Sequence, residues 1–540
     1  MQTAHAPIPA VLRVPLANRG TAFTDRDREH LGLAGLLPPR VETLVEQAAR
    51  VMENLRGITA PIERYLYLSA LQNENETLFY RVLLDNLQEL LPIVYTPTVG
   101  QACQEWSLRY VRPRGLYLTP RDRGHIARIL GHFGGSNIAM VVVTDGGRIL
   151  GLGDLGANGM GIPIGKLTLY TACAGIDPAR CLPITLDVGT NTESIRNDAF
   201  YLGRREPRLT GPAYDEFLDE FVTAIQSVFP GAVLQFEDFN NEHAFHLLGR
   251  YSGRLCCFND DVQGTGAMGL AGLNTACRIT GGRLSDQRLL FAGAGQAALG
   301  IGEMAVSAMR SEGLTEGEAR SRCLFMDSKG AIVTERGDLS KHKRRVAHHM
   351  EAPSSLGDAI TAFKPSVLIG ASGQGGLFTS TILKAMGEAA HRPVILALSN
   401  PTSKAECTAE QAYAHTHGQA IFASGSPFDP VTIASRTFSP GQANNSYIFP
   451  GVGLGLIYSG AKRVARPMFI AAAQALTRMV TEEDLRLGRV FPPQSKMRDV
   501  AASVAEAVAG VAFDHGLAGI PRPVNLAEAL RGFMYQPEYH

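Results

Sequence analysis

The sequence lacks an excess of either charge, because its 540 residues carry 51 basic and 51 acidic side chains. Without a segregated basic half it has no electrostatic footprint for nucleic acid or for an anionic membrane. It also lacks an apolar run of the ~18 residues that a membrane span requires. Residues 1–13 lack the charged start and the apolar stretch of a secretory signal. We therefore expect a cytoplasmic protein that binds neither nucleic acid nor membrane.

Paired cysteine motifs, internal repeats and low-complexity tracts are also missing from the sequence. The eight cysteines form no CxxC pair, and several lie inside apolar runs, which predicts reduced core residues. The chain is longer than the ~250–300 residues at which a single core stops growing, so we expect at least two domains. Small molecules and further copies of the chain are the partners that remain.

Hydrophobic periodicity predicts an α/β fold in three parts. Helical spacing over 41–86 indicates a mainly helical N-terminal assembly region, residues 1–113. Four short apolar runs (137–144, 182–186, 233–236 and 255–258) predict buried parallel strands of a substrate and metal domain, residues 114–259, completed by helices of 446–540. Five more runs (289–291, 323–326, 367–369, 394–398 and 421–423) predict a doubly wound Rossmann domain, residues 260–445.

Acidic residues stand at the ends of two of these runs. Glu237 and Asp238 follow the run 233–236, and Asp260 and Asp261 follow the run 255–259. Carboxylates at one edge of a sheet are hard oxygen ligands, which suit Mg²⁺ or Mn²⁺. A dinucleotide fingerprint that begins at Gly293 implies a nicotinamide coenzyme as well. A metal beside a nicotinamide indicates oxidation of a 2-hydroxy acid, with or without loss of CO₂.

A dinucleotide fingerprint begins at Gly293 and includes Gly295 and Ala298, between a predicted strand and an Ala-rich helix. Asp327 ends the next strand, where an acid is expected to bind the adenosine ribose. It stands farther along the chain from the fingerprint than the usual ~20 residues. An ordinary turn aspartate is the alternative. Ser328, Lys329 and Lys343 offer a hydroxyl and cations to a ribose 2′-phosphate, and a solvated basic loop is the alternative there.

Tyr95, Arg148 and Lys166 also stand at strand ends or in glycine-rich turns. Taken individually, Tyr95 could be a packed aromatic, Arg148 the tip of a hairpin and Lys166 a surface charge. Together with QFEDF and FNDDVQGT, however, they make the chain resemble the malic enzyme family. The likeness runs in order from about residue 32 to beyond 455 and includes GLLPPR, PIVYTPTVG, GLGDLG, LDVGTNTE, GAGQAALG, ALSNPT, SGSPF and NNSYIFPG.

The resemblance implies oxidative decarboxylation of L-malate to pyruvate and CO₂ with NADP or NAD and with Mg²⁺ or Mn²⁺, and also decarboxylation of oxaloacetate. It implies a homodimer or homotetramer and favours an NADP-preferring member of bacterial type. The implied site residues, as they stand in this sequence, are Tyr95 and Lys166 for proton transfer with Asp260 in support, Glu237, Asp238 and Asp261 for the metal, Arg148, Asn400 and Asn445 for the substrate, and Gly293, Gly295, Ala298, Asp327, Ser328, Lys329, Lys343, Asn400 and Asn444 for the coenzyme.

A lysine can act as a base near neutral pH when burial and neighbouring cations lower its pKa to about 7–8. We expect this of Lys166, with Arg148 as the neighbouring cation. Fumarate-activated relatives use two N-terminal arginines, but Glu53 stands at one of those positions and Arg81 at the other, so we expect no fumarate activation. His243 departs from the family's usual Asn, and we expect no effect on the metal ligands.

Two alternatives remain open. One is a metal-dependent enzyme that acts on another 2-hydroxy acid, or that decarboxylates oxaloacetate without net redox chemistry. The other is a catalytically silent dinucleotide-binding sensor.

Overall fold

The computed structural model describes residues 9–149 and 151–539. Residues 1–8, Leu150 and His540 lie outside the described residues, so most of the stretch 1–13 used to judge a secretory signal is not described. Within the described ranges, no helix is both long enough and apolar enough to cross a bilayer.

The N-terminal region is helical, as its periodicity predicts. Helix α2 begins with a capping box in which Thr43 and Glu46 satisfy each other's backbone amides, and α3 begins with Pro61 at its first turn. The helices are α1 Asp25–His30, α2 Leu44–Gly57, α3 Pro61–Glu74, α4 Glu76–Asp85, α5 Leu87–Val94 and α6 Thr98–Gln104. The apolar faces of α2 to α6 join the largest hydrophobic core of the molecule.

The first sheet has five parallel strands within the described residues, in the order β1-β3-β2-β4-β5. These strands are β1 Leu116–Leu118, β2 Met140–Thr144, β3 Cys181–Leu186, β4 Val233–Phe236 and β5 Cys257–Asn259. The helices of this part are α7 Ile126–Leu130, α8 Gly161–Ala174, α9 Glu193–Arg196, α10 Pro212–Val228 and α11 Asn241–Tyr251. All of α8 is buried, which suits a helix that is apolar on nearly every face.

The second sheet, counted over the same described ranges, has seven strands in the order β14-β11-β10-β9-β6-β7-β8. The strands are β6 Leu289–Ala292, β7 Cys323–Asp327, β8 Gly330–Ala331, β9 Val367–Gly370, β10 Val394–Ala397, β11 Ile421–Ser424 and β14 Gly441–Gln442, and β12 Val431–Ile433 pairs separately with β13 Arg436–Phe438. The helices are α12 Thr265–Thr280, α13 Gln296–Ser311, α14 Glu316–Ser321, α15 Lys341–Arg344, α16 Leu356–Phe363, α17 Ser380–Ala389 and α18 Ala409–His415.

The C-terminal helices pack back onto the first sheet. They are α19 Phe449–Ser459, α20 Arg466–Arg478, α21 Glu482–Arg486, α22 Met497–Asp514 and α23 Leu526–Phe533. Close packing of α19 on α22 depends on small residues, because a Cβ at Gly451 would lie 2.6 Å from the carbonyl oxygen of Ala501. Helix α19 also packs on α8, so the C-terminal segment encloses the helix that carries Lys166.

The predicted α/β class is therefore confirmed, and each predicted apolar run overlaps a strand. The sequence reasoning did not predict β1 or the short strands β8 and β12 to β14.

Candidate active site

Four carboxylates meet at the carboxyl edge of the first sheet because β4 and β5 are adjacent and parallel. Phe236 is in register with Asn259, so the acids that follow the two strands lie side by side. Ligand oxygens of Glu237, Asp238 and Asp261 all lie within 4.8 Å of one another.

Three local features hold these acids in place. The backbone of Asp238 is left-handed, with φ 55°, a conformation that Asp tolerates better than most residues. Its N–H donates to Asp261 Oδ2 at 2.8 Å. Asp260 and Asp261 begin a π-helical turn, Asp260–Gly264, which leads into α12. Glu237 is held by Gln235, whose Nε2 donates to Glu237 Oε2 at 2.7 Å.

The electrostatics of this cluster fit a divalent cation. Desolvation, with the repulsion of neighbouring carboxylates, raises the pKa of Glu237 well above its ordinary value despite Lys166. Desolvation and the charge of Asp260 raise the pKa of Asp261 to about 6. A cation between the three oxygens would relieve both effects, and an all-carboxylate donor set suits Mg²⁺ or Mn²⁺. The residues therefore fit the metal that the sequence implies.

Lys166 lies in the buried helix α8, and its side chain is 1% exposed. Its Nζ is 2.5 Å from Asp260 Oδ2 and 2.9 Å from Glu237 Oε1. Burial favours the neutral amine, but the attraction of the two carboxylates outweighs burial, and the pKa of Lys166 lies well above its ordinary value. The expectation of a lysine pKa lowered by a cationic Arg148 is wrong for this structure, because the neighbours of Lys166 are acids.

Tyr95 follows α5 and is buried against the same lysine. Lys166 Nζ lies 5.6 Å from the centre of the Tyr95 ring and 4.2 Å from that of Phe449. Burial raises the pKa of Tyr95 well above its ordinary value, although Lys166 opposes the change. The phenol is therefore protonated at neutral pH.

The predicted substrate residues line the same cleft. Arg148 lies in the loop after β2, and its guanidinium donates to Asn241 Oδ1. Asn400 follows β10 and accepts from Ser426 Oγ at 3.1 Å. Asn445 Nδ2 donates to Asp260 Oδ2 at 3.0 Å. The structure thus brings a guanidinium and two amides from both sheets to the carboxylate cluster.

The cleft leaves a cavity of about 240 Å³ between the two sheets. Its walls come from both parts of the chain, and the predicted residues among them are Tyr95, Arg148, Lys166, Glu237, Asp238, Asp261, Asn400, Asn444 and Asn445. Asp260 is fully buried behind Lys166 and is not part of the wall.

The glycine fingerprint follows β6 and leads into α13. Gly293 has φ 131°, and a Cβ there would lie 2.5 Å from the carbonyl oxygen of Ala371 in the loop after β9. Gly295 precedes the first residue of α13, whose N-terminus is suited to a pyrophosphate, and Ala298 is buried in its first turn. Of the other predicted coenzyme residues, Asn400 and Asn444 line the cavity together with Gln296 and Ala297 of the fingerprint.

Asp327 ends β7 beside two cations. Lys343 Nζ is 2.5 Å from Asp327 Oδ2, and Arg336 Nη1 is 2.8 Å from Asp327 Oδ1. Desolvation opposes ionisation of Asp327, but these hydrogen bonds outweigh it and hold its pKa below the ordinary value. Ser328 and Lys329 are exposed in the following turn, and Lys329 pairs with Asp338. The cations of Arg336 and Lys343 therefore both lie at Asp327, the acid predicted to bind the adenosine ribose.

Sequence reasoning assigned no role to Arg336 or Glu406. Arg336 lies in a loop, and a loop sequence has no periodicity that would predict the partner of its side chains. An acid such as Asp327, nine residues earlier, could have suggested an ion pair with Arg336. Glu406 is fully buried, and its Oε1 accepts from Ser372 N at 3.0 Å and from Ser399 Oγ at 2.5 Å. It therefore ties together the loops after β9 and β10, which line the cavity.

Comparison with known proteins agrees with this architecture. Residues 72–252 match the model of the malic enzyme N-terminal domain, and residues 262–513 match that of the malic enzyme NAD-binding domain. The chain is 50% identical to NADP-dependent malic enzyme 3 of Arabidopsis thaliana over 98% of this chain and 91% of that protein. It is 48% identical to the NADP-dependent malic enzymes of Anas platyrhynchos and Homo sapiens, over 98% of this chain and 96% and 93% of theirs.

A solved structure shares the fold. The crystal structure of Entamoeba histolytica malic enzyme superposes with a TM-score of 0.60 at 22% identity, over 94% of this chain and 91% of that one. The relatives named here are plant and animal proteins, so the bacterial type stays a prediction. The two matched family models, the near-complete alignments and the shared fold lead to one conclusion: this chain belongs to the malic enzyme family.

Proposed function

We propose that this protein catalyses the oxidative decarboxylation of L-malate to pyruvate and CO₂, with NADP preferred over NAD, and that it also decarboxylates oxaloacetate. The observation that carries the proposal is the meeting of Lys166, Tyr95 and three carboxylates in one cleft with a dinucleotide fingerprint. The activity in the names of the NADP-dependent relatives supports it.

Substrate binding is assigned to Arg148, Asn400 and Asn445. A dicarboxylate needs cationic and hydrogen-bonding partners, and these three side chains face the cavity from the loops after β2, β10 and β14. We assign to the same residues the placing of malate's C2 near Lys166.

Proton transfer is assigned to Lys166, Asp260 and Tyr95. The raised pKa of Lys166 means that the lysine is charged and must give up a proton before it can accept one. We assign to the pair a relay in which Lys166 passes a proton to Asp260 Oδ2, 2.5 Å away, and accepts the C2 hydroxyl proton in its place. The protonated phenol of Tyr95 then supplies the proton that C3 needs once CO₂ has left.

Glu237, Asp238 and Asp261 would hold Mg²⁺ or Mn²⁺, which supplies Lewis-acid polarisation of the C2 oxygen when bound. Gly293, Gly295, Ala298, Asn400 and Asn444 would hold the dinucleotide, which supplies the hydride acceptor. Asp327, Ser328, Lys329 and Lys343 are assigned to the adenosine ribose and its 2′-phosphate, since Lys343 brings a cation to the acid at the end of β7.

Assembly, domain division and location complete the proposal. We assign a homodimer or homotetramer, supported by large apolar side chains on the surface such as Val45 at 62%, Leu108 at 63% and Val111 at 91% exposure. We also assign the division at residues 113, 259 and 445, which is supported by the positions of the strands of the first sheet within 116–259 and of the second sheet within 289–442. A cytoplasmic location is supported by the eight cysteines, all of which are free thiols. Sedimentation of a monomer at micromolar concentration would contradict the assembly.

The test of activity is absorbance at 340 nm with purified protein, L-malate and Mn²⁺, comparing NADP with NAD and assaying pyruvate at the end. Equal amounts of reduced coenzyme and pyruvate are expected. Reduction without pyruvate would indicate a simple dehydrogenase, and CO₂ release from oxaloacetate without coenzyme reduction would favour a decarboxylase. Inactivity with coenzyme binding retained would favour a sensor.

A further inference from the structure

A buried ion pair lies beneath the loop that carries Arg148. Asp145 directly follows β2 and is 1% exposed, and Arg208, from the segment before α10, has a side chain that is 5% exposed. Arg208 Nη2 lies 2.5 Å from Asp145 Oδ2, and Tyr214 donates to the same oxygen at 2.8 Å. His243, the departure from the family pattern, stacks on Tyr214 with ring centres 4.2 Å apart. This buried group lies outside the cavity wall.

Arg208 contacts both ends of the same loop. On the entering side its Nη1 donates to the carbonyl oxygen of Asp145 at 3.0 Å, and on the leaving side the same atom donates to Asp154 Oδ1 at 3.1 Å. A backbone hydrogen bond also joins the two ends of the loop, since Leu155 N donates to the carbonyl oxygen of Gly146 at 3.0 Å. One guanidinium therefore links the side chains and backbone at the two ends of the loop, next to the backbone bond that also joins them.

The loop in turn presents Arg148. The backbone N–H of Arg148 donates at 2.9 Å to the carbonyl oxygen of Asp238, a predicted metal ligand. The side chain of Arg148 is exposed, with Asn241 as its partner, so packing around it does little to fix its direction. The direction of this guanidinium depends on the loop, and the loop depends on Arg208.

We propose that Arg208 is a positioning residue for substrate binding, acting through Arg148, an inference that rests on the proposed malate-oxidising function. The planar fork of an arginine can reach two carboxylates and a carbonyl at once, whereas a lysine offers one compact ammonium group. Arg208→Lys therefore keeps the buried charge and loses the link between the two ends of the loop.

The experiment measures initial rates for wild type and Arg208→Lys with malate and NADP each varied. The KM for malate is expected to rise about 10- to 100-fold, because a displacement of ~1 Å at a site can cost 10²-fold. The KM for NADP is expected to stay within twofold. Arg28→Lys is the matched control, because Arg28 is also buried, 7% exposed, and holds N-terminal turns through backbone carbonyls.

Thermal unfolding gives a second readout. With Mn²⁺ present and malate at about ten times the wild-type KM, malate is expected to raise the Tm of wild type and of Arg28→Lys clearly more than that of Arg208→Lys, whereas NADPH raises all three equally. Equal malate shifts in all three proteins would overturn the inference. If Arg208→Lys does not fold, Asp154→Asn, which removes one carboxylate partner of Arg208, is measured instead and is expected to raise the KM for malate.

A double-mutant cycle tests whether Arg208 acts through Arg148. Once Arg148 has been replaced by Lys, adding Arg208→Lys is expected to change the KM for malate by less than about twofold, since the two substitutions remove one function. If the KM for malate of the double variant rises by the product of the two single-variant factors, the two residues act independently and the proposal is overturned. Wild-type protein without malate-dependent coenzyme reduction would instead overturn the proposed function, so the two failures are distinguishable.

Discussion

Lys343→Ala is expected to weaken the use of NADP and to leave the use of NAD nearly unchanged. Lys343 contacts Asp327 at 2.5 Å, and Arg336 contacts the same carboxylate at 2.8 Å. The substitution therefore leaves Asp327 paired with Arg336 and the loop intact. It removes one positive charge from the place assigned to the 2′-phosphate, which carries about two negative charges.

The size of the effect follows from the type of contact. A hydrogen bond to a charged group contributes about 1.5–3 kcal/mol, which corresponds to about 10- to 100-fold in kcat/KM for NADP. The side chain of Lys343 is 29% exposed, so solvent and salt screen part of this contribution. We therefore expect the lower half of that range at physiological salt.

The assay is the ratio of kcat/KM for NADP to that for NAD, at saturating malate and Mn²⁺. Arg344→Ala is the matched control, because Arg344 is the next residue of α15 and donates to the carbonyl of Leu339. Lys341, Lys343 and Arg345 line a groove beside Gly295 of the fingerprint, and Arg344 does not line it. An equal loss with both coenzymes, or an unchanged ratio, would refute the assignment of Lys343 to the 2′-phosphate.

Four further outcomes are expected. Lys166→Met is expected to lower malate oxidation about 10²- to 10⁴-fold, the usual contribution of a general acid or base, while NADPH binding measured by fluorescence persists. EDTA is expected to abolish activity, and Mn²⁺ is expected to raise the Tm of wild type but not of Asp238→Asn. Glu406→Gln is expected to raise the KM for NADP severalfold with little change in that for malate, since Glu406 ties the two loops beside the coenzyme site. Millimolar fumarate is expected to leave the rate at subsaturating malate unchanged, because Glu53 replaces one arginine and Arg81 pairs with Asp85.

Controls separate these effects from a general loss of stability. Asp484→Asn matches Glu406→Gln, because Asp484 is also a buried carboxylate, 6% exposed, and it pairs with Arg489 at 2.9 Å outside the cleft. An equal rise in the KM for NADP in both variants would contradict the role of Glu406. More than a few per cent of wild-type activity in Lys166→Met would contradict the role of Lys166, an equal Mn²⁺ shift in Asp238→Asn would contradict the metal assignment, and clear stimulation by fumarate would contradict the expected lack of activation.

The strands and the coenzyme loop were predictable because their signals are local. A buried parallel strand is a short apolar run, and the run 233–236 agrees with β4 Val233–Phe236. The fingerprint requires a close backbone approach at Gly293, where a Cβ would lie 2.5 Å from Ala371. The short strands β8 and β14 were missed, because two residues carry no periodicity.

The sequence by itself determined which residue types reach the site, since acids that directly follow two strands of a parallel sheet are brought to one edge. Tertiary structure decided their electrostatic surroundings. Asp260 was expected to support Lys166, but a cationic neighbour was expected to lower the pKa of the lysine. The fold instead places both Asp260 and Glu237 against Lys166, at 2.5 and 2.9 Å, so that its pKa rises. The pairing of Asp145 with Arg208 was not predicted. The pKa of a buried group depends on every charge around it in space, and only the order of strands and the packing of helices decide which charges those are.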